Sequence, residues 1–238
     1  MYQTFLMTVF ILFIFIRALK HVWPKARDTT DERVSRKCTA EELVPVAQDF
    51  IEPLQNTPTI SGMEGYPTAR CAVIGGVATI SHCPYRTTWD IDFIIHSNPH
   101  YDFDTQRIKE AMVVAHPTRC KFFAYVFKFL ADDGWVQVDL VPSLKTGYTP
   151  AAMQPIAGLV PSQLPIATVD DLITLKMESC GNRGNEEKNR TDGEDVWRLM
   201  REIRILPNSP LWRSLFLARH RLRESYSGRP WRAPVSHP

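Results

Sequence analysis

Asp90 and Asp92 sit one residue apart inside the apolar run Trp89-Asp90-Ile91-Asp92-Phe93-Ile94-Ile95. Aspartate is depleted in strands, and burying its charge is costly unless something compensates it. On a strand the two carboxylates share one face, about 7 Å apart by the rise per residue, while Ile91 and Phe93 enter the core. Like charges that close repel. A divalent cation removes the conflict, and hard oxygen ligands suit Mg²⁺ or Mn²⁺. Asp139, between Val138 and Leu140, supplies a third acid with the same apolar flanks. Three acids on two adjacent strands can hold two metals. One activates an attacking hydroxyl, and the other stabilises the leaving oxygen of an in-line phosphoryl displacement.

A second feature lies upstream. Gly75-Gly76 closes the apolar run Cys71-Ala72-Val73-Ile74. Glycine lets backbone approach a phosphate closely, and a helix starting there offers free N–H groups at the positive end of its dipole. A nucleoside triphosphate could lie on this turn while its metals sit on Asp90 and Asp92. Arg86 and Thr88 precede the acids, where a guanidinium and a hydroxyl could grip phosphate or incoming substrate.

These residues need a scaffold. Thr39 with Glu42 three positions on is a capping-box pattern, and Leu43, Val46, Ala47 and Phe50 mark one helical face, with Pro45 expected in the first turn. The order continues with a strand at 70–74, a brief helix closed by Pro84, and a strand through Asp90 and Asp92. A helix follows with Asp104 as its cap, then an aromatic strand Cys120–Leu130. The next strand alternates Val136, Val138 and Leu140 against Gln137 and Asp139. After a Pro-rich loop come amphipathic helices near 167–180 and 192–203, joined by the polar stretch Gly181–Thr191. A last helix is expected over Pro210–Ser225. The aromatics of Lys121–Leu130 read as core. This order predicts an α/β (α+β) fold: a small mixed sheet with flanking helices and a C-terminal helical part. The expected division is a core over 39–150, a helical part over 151–225 and a disordered tail over 226–238.

The pattern Ile74-Gly75-Gly76, then Asp90-Ile91-Asp92-Phe93, then Val138-Asp139-Leu140 resembles the signature of the polymerase-β-type nucleotidyltransferase superfamily. The stretch Arg86-Thr87-Thr88-Trp89-Asp90-Ile91-Asp92 is similar to stand-alone nucleotidyltransferase-like proteins, and so to the nucleotidyltransferase toxins of abortive-infection systems. The resemblance runs from about Glu41 to Met200. It implies Asp90, Asp92 and Asp139 as catalytic metal ligands, and Gly75, Gly76, Arg86 and Thr88 as nucleotide contacts. It places Lys176 on a helix at a nucleotide-contact position, with Lys188, Asp192 and Asp195 following. The implied cofactor is Mg²⁺ or Mn²⁺, two ions, with an NTP as substrate. The expected reaction moves an NMP to an acceptor that the pattern leaves open: an RNA or tRNA end, a protein hydroxyl or a small molecule. The rival readings are an inactive module of the same fold, a membrane-tethered interaction protein and, more remotely, a phosphohydrolase.

Composition excludes little. The chain has 238 residues, 44% hydrophobic and 23% charged, with net charge +2, so no strong global field is expected. Arg213, Arg219, Arg221, Arg223, Arg229 and Arg232 against Glu224 make the end of the chain basic, suited to a solvated tail or to RNA. The cysteines 38, 71, 83, 120 and 180 are odd in number and widely spaced, which argues against a disulfide framework and for a reducing compartment. Thr4–Ile16 is almost wholly apolar and is followed by Arg17, Lys20, Lys25 and Arg27. Residues 1–20 therefore read as an N-terminal membrane anchor, with association through residues 1–19 and the rest facing the cytosol. Residues 21–38 read as a linker.

Overall fold

The computed structural model describes residues 37–97, 104–180 and 184–202. The apolar segment at 1–20, most of the expected linker, the helix expected over 210–225 and the tail lie outside the described residues. Among the described residues, no helix is long and apolar enough to cross a membrane.

The first helix, α1 (Ala40–Asn56), starts where the capping pattern places it: the Thr39 N–H donates to Glu42 Oε2 at 2.8 Å. Pro45 sits in its second turn, not its first, and Pro53 lies near its end. Leu43, Ala47, Phe50, Ile51 and Leu54 recur at helical spacing and are all buried. Phe50 packs on Phe93 at 5.2 Å and edge-on to Phe127 and Phe129. Truncating such a residue to Ala is expected to cost about 3–5 kcal/mol. A single-turn helix, α2 (Pro58–Ser61), follows.

The sheet has six strands in the order β3-β4-β5-β2-β1-β6. These are β1 (Arg70–Ile74), β2 (Asp90–His96), β3 (Cys120–Phe123), β4 (Val126–Ala131), β5 (Gly134–Pro142) and β6 (Gln154–Pro155). The central pair β2–β5 is parallel, and the other neighbours are antiparallel. Four more helices complete the described fold: α3 (Gly75–His82), α4 (Thr105–Ala115), α5 (Val169–Ser179) and α6 (Glu186–Glu202). The fold is thus mixed α/β. Ile91, Phe93, Val138 and Leu140 are buried, and strand alternation directs Asp90, Asp92 and Asp139 to the opposite face.

Three elements differ from the sequence reading. The aromatic stretch is a hairpin, not one strand. Ala124 (φ 45°) and Tyr125 (φ 77°) form its two-residue turn. Such turns need positive φ at both positions, usually signalled by Asn-Gly, and Ala-Tyr carries no such signal. The turn leaves Tyr125 97% exposed while Phe127 and Phe129 enter the core. Helix α6 begins at Glu186, inside the polar stretch expected to be a connector. Asn185 Oδ1 accepts from the Lys188 N–H at 3.1 Å and caps its first turn. Finally, Cys38 exchanges backbone bonds with Thr88, at 2.7 and 3.0 Å, so the chain joins the sheet region before Thr39. The segment after 150 also returns to the sheet: β6 pairs with β1, and Val73 exchanges bonds with Pro165 and Ala167.

Candidate metal and phosphate site

The sheet register brings the three acids together. Asp92 lies opposite Asp139 on one side and Ile74, the last residue of β1, on the other. One carboxylate oxygen from each of Asp90, Asp92 and Asp139 lies within 4.8 Å of the others, and all three residues are half-buried.

The glycine pair is built into the same site. Gly75 has φ +67°, a conformation that favours glycine. A Cβ there would overlap the Asp92 carboxylate, and a Cβ on Gly76 would overlap the Thr88 hydroxyl. Both glycines are therefore required by the acids' own packing, independently of any phosphate. Thr88 is 5% exposed, and its Oγ1 donates to Asp90 Oδ1 at 3.0 Å. Its side chain holds one catalytic-candidate carboxylate in place, while α3 starts at the glycine beside the other.

Asp139 is held on both oxygens. Gln137 Nε2 donates to Oδ2 at 2.8 Å, and Lys109 Nζ lies 3.5 Å from Oδ1. Neither residue was a sequence candidate. Gln137 was findable, because it sits two residues before Asp139 on an alternating strand and shares its face. Lys109 comes from α4, thirty residues away, and has no local signature.

Arg86 and Lys176 have other engagements than the expected nucleotide contacts. Arg86 makes a two-pronged pair with Asp195: Nε to Oδ1 at 2.8 Å and a terminal nitrogen to Oδ2 at 2.7 Å. Lys176 is buried between Asp192, at 2.9 Å, and Asp195. The Tyr85 hydroxyl also donates to Asp195, and the Arg198 guanidinium lies 4.1 Å from the Tyr85 ring centre. Burial alone would push the Asp195 carboxyl up, but Arg86, Lys176 and Tyr85 outweigh it and hold the carboxyl below the usual range. Burial, followed by the Asp195 charge, pushes the Tyr85 phenol up. This cluster ties the segment leading to Thr88 and Asp90 onto α5 and α6. Lys188 lies on the exposed first turn of α6.

Three hard carboxylate donors, half-buried and within 4.8 Å of one another, fit a divalent cation of the Mg²⁺ or Mn²⁺ type.

No protein-family model matches the chain, and no curated protein sequence does. A similar solved structure is that of an antigenic nucleotidyltransferase-like protein from Paracoccidioides brasiliensis. It is 14% identical, with a TM-score of 0.50, and the match covers 80% of this chain and 92% of that one. The likeness at that identity is one of fold: this chain has a nucleotidyltransferase-like fold.

Proposed function

We propose that the chain is a metal-dependent nucleotidyltransferase, moving a nucleoside monophosphate from an NTP to an acceptor hydroxyl. The observation that carries the reading is the Asp90, Asp92 and Asp139 triad beside the Gly75-Gly76 turn, on a sheet of nucleotidyltransferase-like fold. Asp90 and Asp92 would hold the cation. When bound, it supplies charge neutralisation for the triphosphate and for the leaving oxygen. Asp139 takes the proton of the acceptor hydroxyl. The acceptor oxygen then bonds to the α-phosphorus, the bond from that phosphorus to the bridging oxygen breaks, and pyrophosphate leaves with its electron pair. Thr88 fixes Asp90 for this task, and the glycine backbone lets the triphosphate approach the start of α3.

The test is label transfer. The full chain is incubated with Mg²⁺ or Mn²⁺ and each α-labelled NTP, with bulk RNA, total protein and the chain itself as acceptors. Transfer that an Asp90→Asn/Asp92→Asn variant loses supports the reading and reveals the acceptor class. Transfer by neither protein, with no metal-dependent NTP binding, would instead favour an inactive module of the same fold.

A further inference from the structure

Lys109 is an unusual neighbour for a metal ligand. Its side chain is only 15% exposed, whereas the Asp139 carboxylate beside it is 37% exposed. An ammonium withdrawn that far from water is retained as a cation only where an anion compensates it. Its place is set by the helix carrying it, not by a flexible reach from the surface. Asp104 Oδ1 caps α4 by accepting from the Gln106 and Arg107 N–H groups, at 2.9 and 3.2 Å. Ile108, Ala111 and Met112 are buried and fix the helix rotation. Lys109 is thereby held at the flank facing Asp139.

The three acids are not equivalent in consequence. Asp90 accepts from Thr88, a neutral hydroxyl, on Oδ1. Asp139 has Gln137 on Oδ2 and the Lys109 ammonium on Oδ1. A cation arriving at Asp139 must displace a protein donor. If it displaces Lys109, it leaves a buried ammonium without its anion and sets two positive charges side by side. Breaking a buried pair in this way is strongly unfavourable. A cation arriving at Asp90 and Asp92 meets no such opposition from Lys109.

We infer that Lys109 occupies the place of a second cation on Asp139, so that the triad is a one-ion centre with the acceptor side balanced by the chain's own ammonium. The inference rests on the nucleotidyltransferase reading for the metal itself, and departs from it in the number of ions.

The experiment is a titration of the full chain with Mn²⁺ alone, read by loss of the free-ion electron paramagnetic resonance signal. The wild-type chain is expected to bind one Mn²⁺, and Lys109→Arg, which keeps the cation, also one. Lys109→Met is expected to bind two. Circular dichroism of each variant checks that it is folded. Two ions in the wild type would overturn the inference and leave the proposed function standing. One ion in both the wild type and a folded Lys109→Met would also overturn it. If Lys109→Met does not fold, the wild-type count decides: two ions overturn the inference, and one supports it. Binding that is absent, or that Asp90→Asn/Asp92→Asn fails to change, would overturn the metal reading and the inference together.

Discussion

Two groups of aspartates occupy this chain, and their surroundings are opposite. Asp195 has no exposed side-chain surface and is met by a guanidinium, an ammonium and a phenol. Asp90, Asp92 and Asp139 are half-buried, drawn within 4.8 Å of one another, and supported by a threonine, a glutamine and a lysine at longer range. The first group is satisfied by the protein and left without capacity for a ligand. The second concentrates like charge at a place open to solvent. Folding alone gives no reason to assemble such a group, because repulsion between close carboxylates opposes it. The contrast separates acids that hold the molecule together from acids that wait for a cation.

The contrast breaks most visibly by mutation. Asp92→Asn should lower label transfer on the order of a thousand-fold, since a charged group that contacts the reacting phosphates is lost. Its melting temperature should stay level or rise, because one repelling charge is gone. Asp195→Asn should do the reverse. It leaves Arg86 and Lys176 buried beside a neutral amide, and a loss of about 3–5 kcal/mol in urea unfolding is expected. Smaller is Thr88→Val, which removes the hydroxyl that orients Asp90. It should weaken Mn²⁺ binding by about 10–100-fold with little change in unfolding, as loss of a ligand's supporting partner does.

The gentlest probe is pH. Asp195 is held below the usual carboxylate range against the opposing effect of burial. So is Asp171, where burial is outweighed by the Ala151 N–H, the Tyr148 hydroxyl and Thr168. A carboxyl whose folded value is depressed stabilises fully above its unfolded value, about 3.9. That contribution is lost as pH falls through the folded value. The urea midpoint should therefore drop from pH 5 toward pH 2, and drop less steeply in Asp195→Asn. A midpoint with the same pH slope in both proteins would remove Asp195 as a source of acid sensitivity.

Much of the site was legible in the sequence because it is local. Asp90 and Asp92 declare themselves by alternation, Asp139 by its apolar flanks, and Gly75 by ending an apolar run. Strand periodicity then determines which side chains share a face. The rest depends on tertiary contact. Arg86 and Asp195 are 109 residues apart, and Lys109 and Asp139 thirty. A lone charged residue on a helix looks the same whether it meets solvent, a phosphate or a buried carboxylate. The hairpin turn at Ala124-Tyr125 was hidden for a different reason: its backbone adopts positive φ without the residue types that favour it. Fold class followed from the order of elements, which such local errors do not disturb.

The most direct measurement is thermal unfolding of three proteins, each with and without Mn²⁺: wild type, Asp92→Asn and Asp195→Asn. An ion that binds only the folded state raises the melting temperature. The two groups of acids should therefore dissociate. The wild type gains stability from Mn²⁺, Asp92→Asn starts level or higher but gains nothing, and Asp195→Asn starts lower yet keeps the gain. An equal Mn²⁺ gain in Asp92→Asn, or a gain lost only in Asp195→Asn, would contradict the assignment of the exposed triad as the cation site.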